Sequence, residues 1–198
     1  MRCLLVLLFF SFSAFAEMNL ELQKELIEMG VKDQKIREEI AKVGWNNSPQ
    51  YLLDKLKAID AINTKKLKAI IEEHSWPTKD LVGVKGVNAG FLIIQHSPDI
   101  DFKVAMLPKL KKAYSNDQGV TGQKLALLTD NVLVSQGKNQ LYGTQAEHVN
   151  GAIIIKPIDD EANVDKRRAD LKMPPLEFYI KFMEEAYGLK DHPEIELN

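Results

Sequence analysis

Gln95-His96 directly follows the unbroken apolar stretch Phe91-Leu92-Ile93-Ile94. An imidazole and a carboxamide at the end of a buried run need hydrogen-bond partners, and an imidazole titrates near neutral pH. His96 is therefore the candidate general acid or base. Asp130 interrupts a second apolar run, Leu125 to Val134, and is the candidate for orienting that imidazole or balancing its charge. Tyr142 adds a hydroxyl to donate or relay a proton. Arg167 and Arg168 are adjacent guanidiniums, a pair suited to clamping a carboxylate or phosphate. Gln95, Thr144 and Gln145 complete a set of groups for fixing a substrate's polar atoms. Together they suit hydrolysis or a lyase step on a small or polymeric anionic substrate, with neither metal nor organic cofactor.

Each of these residues also has a plainer reading. His96 can satisfy a core hydrogen bond, Asp130 can pair with an arginine, Arg167 and Arg168 can face solvent, and Tyr142 can pack a hairpin. A non-catalytic helical module that binds a ligand or partner, with the same residues as a structural polar network, is the alternative function.

Absent signatures narrow the chemistry. The chain has no HExxH, GxSxG, P-loop or cysteine pair. Its four histidines, His74, His96, His148 and His192, form no paired metal-ligand spacing. With Lys+Arg 26 against Asp+Glu 28 and a net charge of −2, no basic footprint for nucleic acid exists.

The residues that precede the domain carry a different message. Met1-Arg2 is a positive start, Cys3 to Phe12 is apolar apart from Ser11, and Ala14-Phe15-Ala16 has the small-x-small form of a cleavage site. Residues 1–16 read as a secretory signal peptide, cut after Ala16. Cleavage removes Cys3, the only cysteine, so the mature chain has no disulfide and rests on its core. No later segment approaches eighteen apolar residues, so no membrane anchor is expected after cleavage, and the expected location is periplasmic or secreted.

The elements that must hold the polar set are mostly helices. At 45% apolar and 27% charged, 198 residues suit one globular domain. Apolar spacing predicts helices between Leu20 and Val43, with Gly30 ending one and Asp33 capping the next. A long amphipathic helix follows from about Ser48 to His74, its lysines on the solvated side. Trp76-Pro77 breaks it. A buried helix through Phe91–Ile94 has Asn88 near its cap, Asp101 caps another through Tyr114, and a third runs through Leu125 to Val134. Gln140–Gln145 alternates like a strand, Asn150-Gly151 reads as a tight turn, and Ala152–Ile155 as the returning strand. A short helix runs from Asp159-Asp160 to Arg168. Pro174-Pro175 opens the last helix, with Leu176, Tyr179, Phe182, Met183 and Tyr187 inward and a loose tail after Gly188. The fold class is mainly α (α+β): one multi-helix domain over residues 17–198 with a late β-hairpin. Within it, 17–75 is a helical arm packing on a core at 76–187.

Several pieces occur in a set order: Trp76-Pro77, Gln95-His96, Leu128-Thr129-Asp130, Gln140-Leu141-Tyr142-Gly143-Thr144-Gln145, and Val164 to Arg168. In this the chain resembles an uncharacterised bacterial family, domain of unknown function 6624, from about Trp76 to Tyr179. The YGTQ element and the RRA…L…PL…Y stretch are its most specific parts. The resemblance implies that Gln95, His96, Asp130, Tyr142, Thr144, Gln145, Arg167 and Arg168 form one motif set, and it implies no reaction. Two departures stand out. Asn131 follows Asp130 where the family pattern has arginine, and Asp99 and Asp101 do not align with the acid that follows its Gln-His pair.

Overall fold

In the computed structural model, the described residues are 18–149, 151–186 and 188–189. The signal peptide expected over residues 1–16 lies outside them, as do Asn150, Tyr187 and the tail from 190 onward.

Helix α1 (Leu20–Val43) buries Leu22, Leu26, Met29, Ile36 and Ile40, spaced three and four apart so that they form one stripe. Asn19 caps it by accepting the Leu22 N–H at 3.0 Å. Gly44, at φ +89, ends it by turning its own N–H back to the Ile40 and Ala41 carbonyls. The helix does not stop at Gly30, and Asp33 caps nothing. Gly30 serves packing instead: a Cβ there would stand 3.1 Å from the Cβ of Ala89, so its absence lets α1 lie close on α3.

Helix α2 (Gln50–His74) returns antiparallel after a 3-10 turn, Trp45–Asn47. Helix α3 (Lys79–His96) bends at Gly83, whose φ of +64 and ψ of 169 are not helical. Asn88, expected near a cap, is exposed in mid-helix. Helix α4 (Ile100–Ser115) is capped by Asp99, which accepts the Phe102 N–H at 2.9 Å; Asp101, the expected cap, lies in its first turn. Helix α5 (Gly122–Ser135) is capped by Thr121.

These five helices share one core. Leu26 from α1, Leu67 from α2, Val87 and Ile94 from α3, Leu110 from α4 and Leu128 from α5 are all fully or almost fully buried in it. Each such side chain contributes roughly 1.5–3 kcal/mol through burial. A smaller cluster, Ile36, Ile40 and Leu52, joins the far ends of α1 and α2. The helices before Trp76 thus share the core of those after it.

The hairpin comes late, as its turn signal predicts. Strands β1 (Ala146–Val149) and β2 (Ala152–Ile155) pair antiparallel, with Ala146 opposite Ile155, Val149 opposite Ala152, and Gly151 at φ +79 between them. Gln140–Gln145 is not a strand. Gly143 takes φ +71 and the segment winds into a loop, because a buried carboxylate draws several of its N–H groups inward. After β2 come helix α6 (Val164–Asp170) and helix α7 (Leu176–Ala186). On α7, Phe182 is exposed while Glu184 is buried. The helix packs only against α6 and β2, so its aromatic side is only partly covered.

Candidate functional site

His96 is the last residue of α3, where Phe91, Ile93 and Ile94 anchor the backbone in the core and leave the imidazole 25% exposed. Its Nδ1 lies 2.9 Å from both oxygens of Asp33, which is 1% exposed in the middle of α1. An ionised carboxylate only accepts, so Nδ1 carries the proton and Nε2 is the basic nitrogen. Asp33 also accepts from Arg37 Nη1 at 2.9 Å and Gln34 Nε2 at 2.7 Å. Arg37 Nη2 in turn donates to both oxygens of Asp60 in α2, at 3.0 and 2.9 Å. Burial pushes the Asp60 carboxyl above its ordinary value of 3.8, against the pull of Arg37. Three helices therefore meet at one imidazole.

Lys103 approaches the same acid from α4. It is 5% exposed, and its Nζ donates to Asn131 Oδ1 at 2.8 Å. Burial lowers its pKa from 10.5, and the negative charge of Asp60 works the other way. From Asn131 a polar chain continues: Nδ2 to Gln145 Oε1 at 3.5 Å, Gln145 Nε2 to Thr144 Oγ1 at 3.1 Å, and Thr144 Oγ1 to Asp130 at 2.8 Å.

Asp130, with no exposure, is the carboxylate that winds the loop. It accepts the N–H groups of Leu141 at 2.8 Å, Tyr142 at 3.1 Å and Thr144 at 3.0 Å, besides the Thr144 hydroxyl. Gln140, equally buried, donates to the Gln145 and Lys156 carbonyls and accepts the Gln145 N–H, stitching the loop to β2. The arginines hold the loop from outside. Arg167 donates to the carbonyls of Leu141, Asp159 and Asp160. Arg168, wholly buried, donates to Pro174 and Tyr142 carbonyls, and its guanidinium lies 5.0 Å from the Tyr179 ring centre.

The motif set is thus split. His96 stands in the cluster of Asp33, Arg37, Asp60 and Lys103, and Gln145 touches that cluster through Asn131. Asp130, Thr144, Arg167 and Arg168 form the loop's scaffold, and the guanidiniums expected to clamp substrate spend their hydrogen bonds on main-chain carbonyls. Orienting the imidazole, expected of Asp130, falls to Asp33. Gln95 leaves its Oε1 buried and without a partner among the described residues. Tyr142 points elsewhere: its ring, half-buried and with a phenol pKa raised by burial and by Asp130, lines a cavity of about 350 Å³ with Pro108, Tyr114 and Thr129. A larger cleft of about 600 Å³ lies between α1 and α3, beside Ile27, Val31 and Leu92, and borders the dyad through Gln34.

Asp33, Asp60 and Lys103 were missed because charged residues on amphipathic helices look solvated. A signal was present. Asp33 falls in step with the buried stripe Leu22, Leu26, Met29, Ile36, Ile40, and Lys103 with Met106, Leu110 and Ala113.

The chain matches a family of unknown function, DUF6624, over residues 20–192. It belongs to that family. No curated protein and no solved structure matches it. The DUF6624 match begins at α1, well before the Trp76–Tyr179 stretch of the quoted motifs, and so takes in the helices that carry Asp33, Arg37 and Asp60.

Proposed function

We propose that this DUF6624 chain carries a general acid–base site at His96, serving a hydrolase- or lyase-type reaction on an anionic substrate. The observation that carries the reading is the Asp33–His96 pair: a sealed carboxylate holds Nδ1 at 2.9 Å while the ring stays a quarter exposed. Held this way, Nε2 faces the open side and exchanges a proton, and Asp33 stabilises the imidazolium that forms. Arg37 fixes Asp33 in turn. The test is turnover of a panel of anionic esters, amides and phosphoesters by the wild type, His96→Ala and Asp33→Asn. His96→Ala is expected to lower kcat by about 10²–10⁴-fold on any substrate turned over. Equal turnover in the two proteins sinks the mechanism.

A binding module without turnover is the second reading, supported by the open cleft between α1 and α3 that borders Gln34. We also infer export, on the strength of the apolar run and the Ala14-Phe15-Ala16 box. N-terminal sequencing of the protein recovered outside the cytoplasm is expected to begin at Glu17, and an intact Met1 refutes that.

A further inference from the structure

Lys103 is a buried cation whose hydrogen-bond partner is a neutral one. Its Nζ donates to the Asn131 carboxamide, and the nearest acid, Asp60, is already taken by two hydrogen bonds from Arg37. Removing an ammonium from water is unfavourable, and one amide oxygen returns only part of what hydration supplied. The environment around it is rich in further donors. Asn131 Nδ2 spends itself on a long 3.5 Å contact with Gln145, and Gln145 Nε2 reaches Thr144 at 3.1 Å. His96 and Lys103 both act electrostatically on Asp60, so they flank the same carboxylate.

The charges decide what fits there. Asp33 and Asp60 are balanced by Arg37 and Lys103, so the cluster is neutral while the imidazole is neutral. An incoming single negative charge is matched by one proton on His96. A double charge leaves the site net negative in a place that water barely reaches, where such an imbalance is costly.

We propose that Lys103, aided by the carboxamides of Asn131 and Gln145, anchors a single carboxylate of the substrate beside His96. The arginines of the motif set take no part in it. This assignment rests on the acid–base reading of His96 for its catalytic meaning, but its test does not depend on turnover.

Diethyl pyrocarbonate modifies accessible neutral imidazole, and mass spectrometry of the digested full chain locates the adduct. Acetate is expected to slow modification of His96 in the wild type. In Lys103→Met the acetate concentration for half-protection should rise by about tenfold or more, since a charge-assisted contact is lost. Lys103→Arg should restore part of the protection. Equal protection in the wild type and Lys103→Met overturns the assignment. So does protection by inorganic phosphate without protection by acetate, and so does no protection by either. Should Lys103→Met fail to fold by circular dichroism, Lys103→Gln takes its place with the same expected loss. Unchanged turnover in His96→Ala, by contrast, removes the acid–base reading and leaves the carboxylate anchor standing.

Discussion

Asp33 and Asp130 are both carboxylates almost without exposure, at 1% and 0%, and they are satisfied in opposite ways. Asp130 faces main chain: three backbone N–H groups and one hydroxyl close around it, and the loop 140–145 has its shape because of it. Asp33 faces side chains alone, namely Arg37, Gln34 and an imidazole that still reaches solvent. A charge spent on backbone amides fixes a conformation. A charge spent on a titratable side chain sets that side chain's proton inventory. The two sites are joined by the polar chain from Lys103 to Thr144, so the scaffold holds one wall of the cluster in place.

The comparison breaks most clearly at Asp130. Asp130→Ala leaves three inward N–H groups without acceptors, and urea unfolding should show a loss of about 4 kcal/mol or more. A loss below about 1 kcal/mol would mean that the loop holds without its carboxylate, and the contrast fails.

Arg37→Met comes next. It leaves Asp33 and Asp60 facing each other without the guanidinium, for an expected loss of about 3 kcal/mol at neutral pH. The sign of its pH dependence follows from Asp60. A carboxyl whose folded pKa is raised contributes stability that is full below 3.8 and is lost as pH rises through the folded value. Without Arg37 that folded value rises further, so the variant should recover part of its stability on acidification to about pH 5. Denaturation midpoints at the two pH values check this, and a variant that weakens further on acidification contradicts it.

His96→Ala should matter much less to the fold, about 1 kcal/mol, because Asp33 keeps Arg37 and Gln34. A loss of about 3 kcal/mol or more in its melting curve would place the imidazole with the scaffold. Smallest is Lys103→Met, expected to leave neutral-pH stability unchanged or slightly raised. Because the folded pKa of Lys103 is lowered, the wild type gains stability as pH rises from that value towards 10.5. The gain should be absent in the variant, and its persistence in alkaline melts argues against a desolvated amine.

Periodicity made the helices legible, since an apolar stripe at three and four residues is the direct consequence of burying one side of a helix. The Asn150-Gly151 pair marked the turn of the hairpin because few residues tolerate a positive φ there. Gln140–Gln145 misled for a physical reason: alternation describes only the local chain, whereas the loop is shaped by Asp130, a residue of α5. His96 was readable as a polar residue at the edge of an apolar run. Its partner Asp33 lies sixty-three positions away, and no local pattern states which imidazole a buried acid will meet. Gly30 taught the same lesson in reverse, since its value lies in what α3 places against it.

The Asp33–His96 bond also sets an order of assembly. Closing a loop of sixty-three residues is entropically unfavourable, by about 4 kcal/mol before any contact repays it. The imidazole therefore gains its partner only when α1 docks along α3, late in folding and after both helices have formed. A chain cleaved between α1 and α2, or one whose first helix is slow to dock, keeps the hairpin and its buried carboxylate. It has a histidine with no proton holder. Chemistry at His96 is thereby reserved for the finished molecule.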